Sequence, residues 1–283
     1  MTQPAPHLPP QETSACTNCG HGTVEVYCAR CGEKQPDHHD RTVGHFAHEL
    51  FHELAHVDSK VFRTLRDLVA RPGELTAAYF EGRKQRYIAP LRLFLTLFAI
   101  QFLAYSAYKP VAVYSLETMM HADKSHQFET MLKRTAVKHK VPFEQLVERI
   151  EHRWQKNMSL LSLLNIAGVA FALKALYARR KRYLAEHLIF AAHFMCFVYV
   201  MSIASWPLHL LTGVQRNAAN TVITILTSAV AIFYLFIGLR RVYGQGPVRR
   251  FFKSALLWGA TFATSLVLMT ASLLAALLQV LRA

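Results

Sequence analysis

The sequence predicts an all-α polytopic membrane protein: five transmembrane helices, preceded by a juxtamembrane amphipathic helix and a small cysteine-rich N-terminal module. Three observations carry this. Beyond about residue 90 lie five apolar runs, each long enough at about 1.5 Å rise per residue to cross a hydrocarbon core about 30 Å thick. The chain of 283 residues is 52% hydrophobic yet carries a formal net charge of +14. These properties segregate, with Lys and Arg crowding the ends of the apolar runs, as in membrane proteins. Finally, four of the five cysteines fall in two closely spaced pairs near the start.

Residues 1–15 contain Pro and polar residues without a basic stretch followed by an apolar one, so they read as a disordered tail rather than a cleaved signal. Residues 16–35 contain Cys16-x-x-Cys19-Gly20 and Cys28-x-x-Cys31-Gly32. Each half forms a tight knuckle, and the glycine after it permits positive φ where sulfur approaches a metal. Four thiolates suit a closed tetrahedral zinc site. Iron or a redox dithiol is the alternative. The expectation is one structural Zn2+ per chain in a zinc ribbon, since four protein ligands leave no position for water. Cys196 lies in an apolar run and reads as packing.

Residues 42–90 form the predicted cytoplasmic amphipathic stalk. It holds HExxH twice, from His48 to His56 with His52 shared. In zinc proteases such a pair binds metal while the Glu activates water. At 100° per residue, however, His45, His48, His52 and His56 share the side that carries Lys60, Arg63 and Arg66. Phe46, Leu50, Leu54, Val57, Val61, Leu65 and Leu68 lie opposite. A solvated histidine face is therefore the first expectation. A second metal site at His48, His52 and His56 comes next, and proteolysis last. Asp58 falls in the apolar sector and reads first as a helix N-cap, with a partly buried carboxylate paired to Arg or Lys as the alternative. Pro72-Gly73 ends the helix, Glu74 suits the first turn of the next, and Pro90 suits the first position of a span. Between them, residues 82–86 form a basic collar.

The spans are expected at about 91–108, 159–176, 188–211, 218–239 and 255–278 within a bundle comprising residues 91–283. The loops after the second and fourth spans are rich in Arg and Lys. By the positive-inside rule this places the N-terminus in the cytoplasm and the C-terminus outside. The cysteines then lie where thiols stay reduced. Residues 109–157 become an external loop. Its last part has helical apolar spacing from Phe143 to Trp154, expected either at the outer interface or packed on the bundle. Nucleic acid is not an expected partner, because the basic residues follow topology. Anionic headgroups are, through the collar.

Ionisable groups within a bilayer usually face a partner or cavity. Glu186, His187 and His193 of the third span are thus a candidate polar site, with Gln101 and Asn165 as candidate partners. Helix-packing hydrogen bonds are the competing explanation.

Pro72-Gly73-Glu74, Tyr79-Phe80-Glu81-Gly82-Arg83-Lys84 and Arg86-Tyr87-Ile88-Ala89-Pro90-Leu91 resemble an uncharacterised family of bacterial inner-membrane proteins of unknown function. So do Asp58 with Thr64, and Tyr183-x-x-Glu186-His187-x-x-Phe190-x-x-His193. The family joins a short N-terminal zinc ribbon to several spans. The resemblance implies fold and inner-membrane location but no catalytic residues. The expected role is a membrane-anchored interaction or scaffold protein that meets a cytosolic or membrane protein partner. A transporter-like protein is the alternative, followed by an HExxH metalloprotease.

Overall fold

The computed structural model describes residues 14–16, 18–23, 28–32, 59–108, 116, 119, 120, 125–138, 140–212 and 218–282. The chain divides into two compact units, residues 1–92 and 93–283. His48, His52, His56 and Asp58 lie outside the described residues.

The first unit begins with two short strands, β1 (Ser14–Ala15) and β2 (Gly22–Thr23), paired antiparallel with Ser14 opposite Thr23. Helices α1 (Ser59–Ala70) and α2 (Glu74–Phe80) follow. Gly73 turns the chain between them at φ 78°, left-handed backbone that glycine adopts without strain. One turn of 3-10 helix (Lys84–Arg86) leads to α3 (Pro90–Tyr108). Pro72-Gly73 and Pro90 act as expected.

The described part of α1 keeps predicted Leu68 buried and Arg63 and Arg66 exposed, but its buried face also takes in polar residues that the wheel left out. Thr64, Asp67 and Leu68 are buried, whereas Phe62 is 76% exposed. Polar side chains turn inward because they have specific partners. Tyr87 donates its hydroxyl to Asp67 at 2.8 Å, and Arg66 donates to the same carboxylate at 3.0 and 3.1 Å. Thr64 accepts the Ile88 N–H at 3.2 Å. Burial alone would raise the Asp67 carboxyl. The hydrogen bonds from Tyr87 and Arg66, with the charges of Arg66 and Arg71, outweigh it and hold the group below its ordinary 3.8. Collar residue Arg83 pairs with Glu74 and Glu81, which leaves less of the collar's charge for headgroups.

The second unit is helical throughout its described elements. After α3 come α4 (Gln127–Lys138), α5 (Phe143–Ser162), α6 (Asn165–Leu176), α7 (Leu184–Leu211), α8 (Ala218–Tyr243) and α9 (Pro247–Arg282). Four stretches among the described residues are helical, long and apolar enough to cross a membrane: Lys84–Ala104, Leu184–His209, Ala218–Tyr243 and Pro247–Val280. Their outward faces carry exposed apolar side chains, such as Ile225 and Phe233 on α8 and Phe262 and Val267 on α9. A soluble helix of this hydropathy would be buried all round. Exposure on this scale calls for a lipid solvent.

The second expected span, 159–176, is not one helix of spanning length. It divides between the end of α5 and the 12-residue α6. At the junction, Leu164 N–H bonds Leu161 O at 2.9 Å and Ala167 N–H bonds Leu164 O at 3.0 Å. These i→i+3 bonds are a 3-10 tightening rather than a chain reversal, so α5 and α6 continue in one direction.

Both run antiparallel to α9. Trp154 Nε1 donates to Ser272 Oγ at 3.0 Å, Asn165 Nδ2 to Ser265 Oγ at 2.6 Å, and Lys253 Nζ to Leu176 O at 2.7 Å. Trp154 is 1% exposed within a cluster of Leu132, Leu146, Ile150, Leu273 and Ala276. Of the two placements open to the 143–154 helix, packing on the bundle is the observed one. Trp154 is not free at headgroup depth.

Close approach at this seam depends on Gly168. A Cβ there would overlap the Thr264 side chain, whose hydroxyl is held to Ala260 O at 2.9 Å. Small residues let membrane helices approach in this way. Gly168→Ala is expected to destabilise the α6–α9 contact by about 1–3 kcal/mol, the usual cost of overpacking. Adding Thr264→Ala should restore most of it. Thermal unfolding of both variants in detergent checks this, and additive losses would show that the seam is not the cause.

Candidate metal centre and polar groups of the bundle

The two CxxCG halves fold alike. In each, the glycine N–H returns to the carbonyl of the first cysteine, Gly20 to Cys16 and Gly32 to Cys28, both at 2.8 Å. Both glycines have positive φ, 73° and 70°. The Cys16 N–H bonds His21 O at 2.9 Å and ties the first knuckle to the β1–β2 ladder. Repeating one fold on the two halves turns the sulfurs toward a common point.

The four sulfurs of Cys16, Cys19, Cys28 and Cys31 lie within 4.8 Å of one another. Cys16 and Cys31 are 3.6 Å apart, and Cys19 and Cys28 3.7 Å. A tetrahedron with Zn–S bonds of about 2.3 Å has an edge of about 3.8 Å, so the donor set fits a four-coordinate ion. Each of these thiols is free of disulfide, and Cys16 and Cys28 are buried. The Cys16 thiol is drawn down to about 6, chiefly by the backbone N–H of Cys19, with burial opposing and the N–H of Asn18 adding. Donors aimed at sulfur favour the thiolate at Cys16, whereas at Cys19 the His21 N–H is outweighed by burial and the neighbouring thiols, which push the thiol up to about 12.

Gln101 and Asn165, the expected partners of the α7 polar residues, hydrogen-bond to serines, Gln101 donating to Ser202 at 3.1 Å and Asn165 to Ser265. Glu186 accepts from Arg182 at 3.1 Å. His187, fully buried, pairs through Nδ1 with the Tyr243 hydroxyl at 2.8 Å. His193 is buried farther along the helix. These pairings are interhelical or local.

Sequence reading passed over the surroundings of His187. Tyr177, from the end of α6, stacks on Tyr243 with ring centres 4.0 Å apart. The Lys253 ammonium lies 3.8 Å from the Tyr177 centroid, and the Arg182 guanidinium 5.2 Å from that of Tyr243. Arg182 also donates to Val242 O at 3.1 Å, and Lys174 to Arg182 O at 2.7 Å. One end of the bundle therefore joins the last turns of α6 and α8 to the first turns of α7 and α9. The signal was a clustering of Tyr and cations at helix ends, which resembles ordinary interface anchoring.

Fold and site together define a helical protein with membrane-spanning elements and a four-cysteine cluster able to hold a metal. A family model described as protein of unknown function (DUF3667) matches residues 58–102. That stretch takes in α1, α2, the collar and the start of α3, including Asp67 and Tyr87. No curated protein and no solved structure matches.

Proposed function

We propose that this chain is a multi-pass protein of the bacterial inner membrane whose zinc-stabilised head docks a protein partner at the cytoplasmic face. The observation that carries this reading is the four-sulfur cluster. It supplies every position of a tetrahedral ion and leaves none for water or substrate, so the metal maintains a folded surface rather than performing catalysis. A module this small lacks the core to fold by itself and depends on metal.

The orientation rests on charge. Lys174, Arg179, Arg180, Lys181, Arg182, Arg240, Arg241, Arg249, Arg250 and Lys253 gather where α6 and α8 finish and α7 and α9 begin. Cationic short connections stay in the cytoplasm. The cysteines then face the same reducing compartment, and the C-terminus lies outside, with α5 and α6 crossing together as one broken span beside the four long ones. The remaining collar charges and exposed Phe62 on α1 suit an anionic leaflet.

A photo-crosslinking residue in place of exposed Arg30, within the second knuckle, tests the docking role in cells. A discrete protein adduct is expected in otherwise wild-type protein and lost when Cys16 and Cys19 are both serine. Labelling of lipid alone, or an adduct indifferent to the cysteines, would overturn it.

A further inference from the structure

The joined ends of α6, α7, α8 and α9 are overcharged and short of hydrogen-bond partners. Arg250 is buried, while Lys174 and Lys253 are part-buried. Among the described residues, none of the three pairs with a carboxylate. Glu186 is the carboxylate bonded at this end, and it is engaged by Arg182. Backbone carbonyls accept from all three instead, Leu176 O from Lys253, Arg182 O from Lys174 and Gln245 O from Arg250. A helix C-terminus, however, supplies only about half a charge. Part-buried charges without counter-charges are costly.

The same end holds four buried side-chain atoms without a hydrogen-bond partner: Tyr177 Oη, His187 Nε2, Arg250 Nε and Gln245 Oε1. The first three are donors, or become so. His187 Nε2 carries a proton when Nδ1 accepts from Tyr243, and Arg180 and Arg250 are close enough to act electrostatically on the Tyr177 phenol. Buried polar groups in folded proteins rarely go unpaired, and each exception needs a cause. Unpaired donors beside unneutralised cations lack the same thing, an anion rich in acceptor oxygens. Guanidinium, ammonium, phenol and imidazole together match phosphate chemistry.

We propose that this end of the bundle is a binding site for a phosphate-bearing anion, with Tyr177, His187, Arg250 and Lys253 as its recognition groups. A phospholipid headgroup and a free phosphate share this chemistry. Basic pockets between membrane helices at the cytoplasmic side are known to take headgroups. The site is independent of the metal head and of any docking partner.

The test uses full-length protein in a zwitterionic detergent, titrated separately with phosphatidylglycerol, phosphatidylcholine and inorganic phosphate. Bound lipid is counted by native mass spectrometry, and the thermal midpoint is followed. Saturable stabilisation by phosphatidylglycerol and not phosphatidylcholine assigns the site to an anionic lipid. Saturation by phosphate alone assigns it to a free anion. In either case Lys253→Gln and Arg250→Gln should each weaken binding about five- to tenfold, the worth of one cation near a headgroup. Tyr177→Phe separates recognition from packing. It keeps the ring stack and removes an unpaired hydroxyl, so ligand-free stability should hold while affinity falls. No saturable effect of either anion, or binding unchanged in all three variants, would overturn the proposal.

Discussion

Purified full-length protein is expected to hold one zinc per chain, and Cys16→Ser with Cys19→Ser to hold none. Serine offers a hydroxyl, which stays protonated near neutral pH and is a poor ligand for zinc. Two remaining thiolates cannot close the tetrahedron. The loss should therefore be complete rather than graded, and proteolysis between residues 14 and 32 should accelerate by orders of magnitude as the module unfolds. The helical signal of the second unit should not change. Elemental analysis beside protein quantification reads the first outcome, and timed digestion the second. His48→Ala with His52→Ala should leave the count at one. A count of two in wild type, falling to one in the histidine variant, would instead establish a second metal and reopen the protease reading.

Replacing Asp67 by Ala should loosen the first unit by about 2–4 kcal/mol. Asp67 is fully buried and accepts from both Tyr87 and Arg66. Its removal strands a buried hydroxyl and opens a small void. The upper range for buried pairs does not apply, because the Arg66 side chain is 55% exposed and recovers water. Acid should mimic the mutation. The folded carboxyl is held below its ordinary 3.8, so its contribution is present above that value and is lost as pH falls through the lower folded one. Amide exchange across α1 and α2, corrected for intrinsic rate, should stay protected from pH 7 to 4 and lose protection below that. Asp67→Asn should be less protected at neutral pH and respond less to acid. Equal acid sensitivity in the two would place the titrating group elsewhere.

These residues also show where sequence reading succeeds. The cysteine cluster was legible because two identical local motifs, each with its glycine, build the same knuckle whatever surrounds them. Four spans were legible because apolar length is itself the physical requirement. The divided run at 159–176 was not. Nothing marks the tightening at Leu163 and Leu164, since neither glycine nor proline is needed for two residues that remain in the right-handed helical region. The inward turn of Asp67 was hidden for another reason. Its partner lies twenty residues away, and helical periodicity assigns a lone carboxylate to solvent. His187 was flagged as an ionisable group in a span. Its partner Tyr243, 56 residues distant, could not be inferred from spacing.

The α5–α9 pairing has a mechanical consequence. A helix of 36 residues such as α9 measures about 54 Å, against about 30 Å of hydrocarbon. Lone helices answer such a mismatch by tilting until the excess is submerged. Here the surplus is sheathed by α4 and α5 around Trp154, and that jacket includes Lys133, Arg134 and Lys138. Sinking it would drag those cations toward the acyl chains. The pair should therefore behave as a stiff mast whose height above the leaflet stays constant across membranes of different thickness.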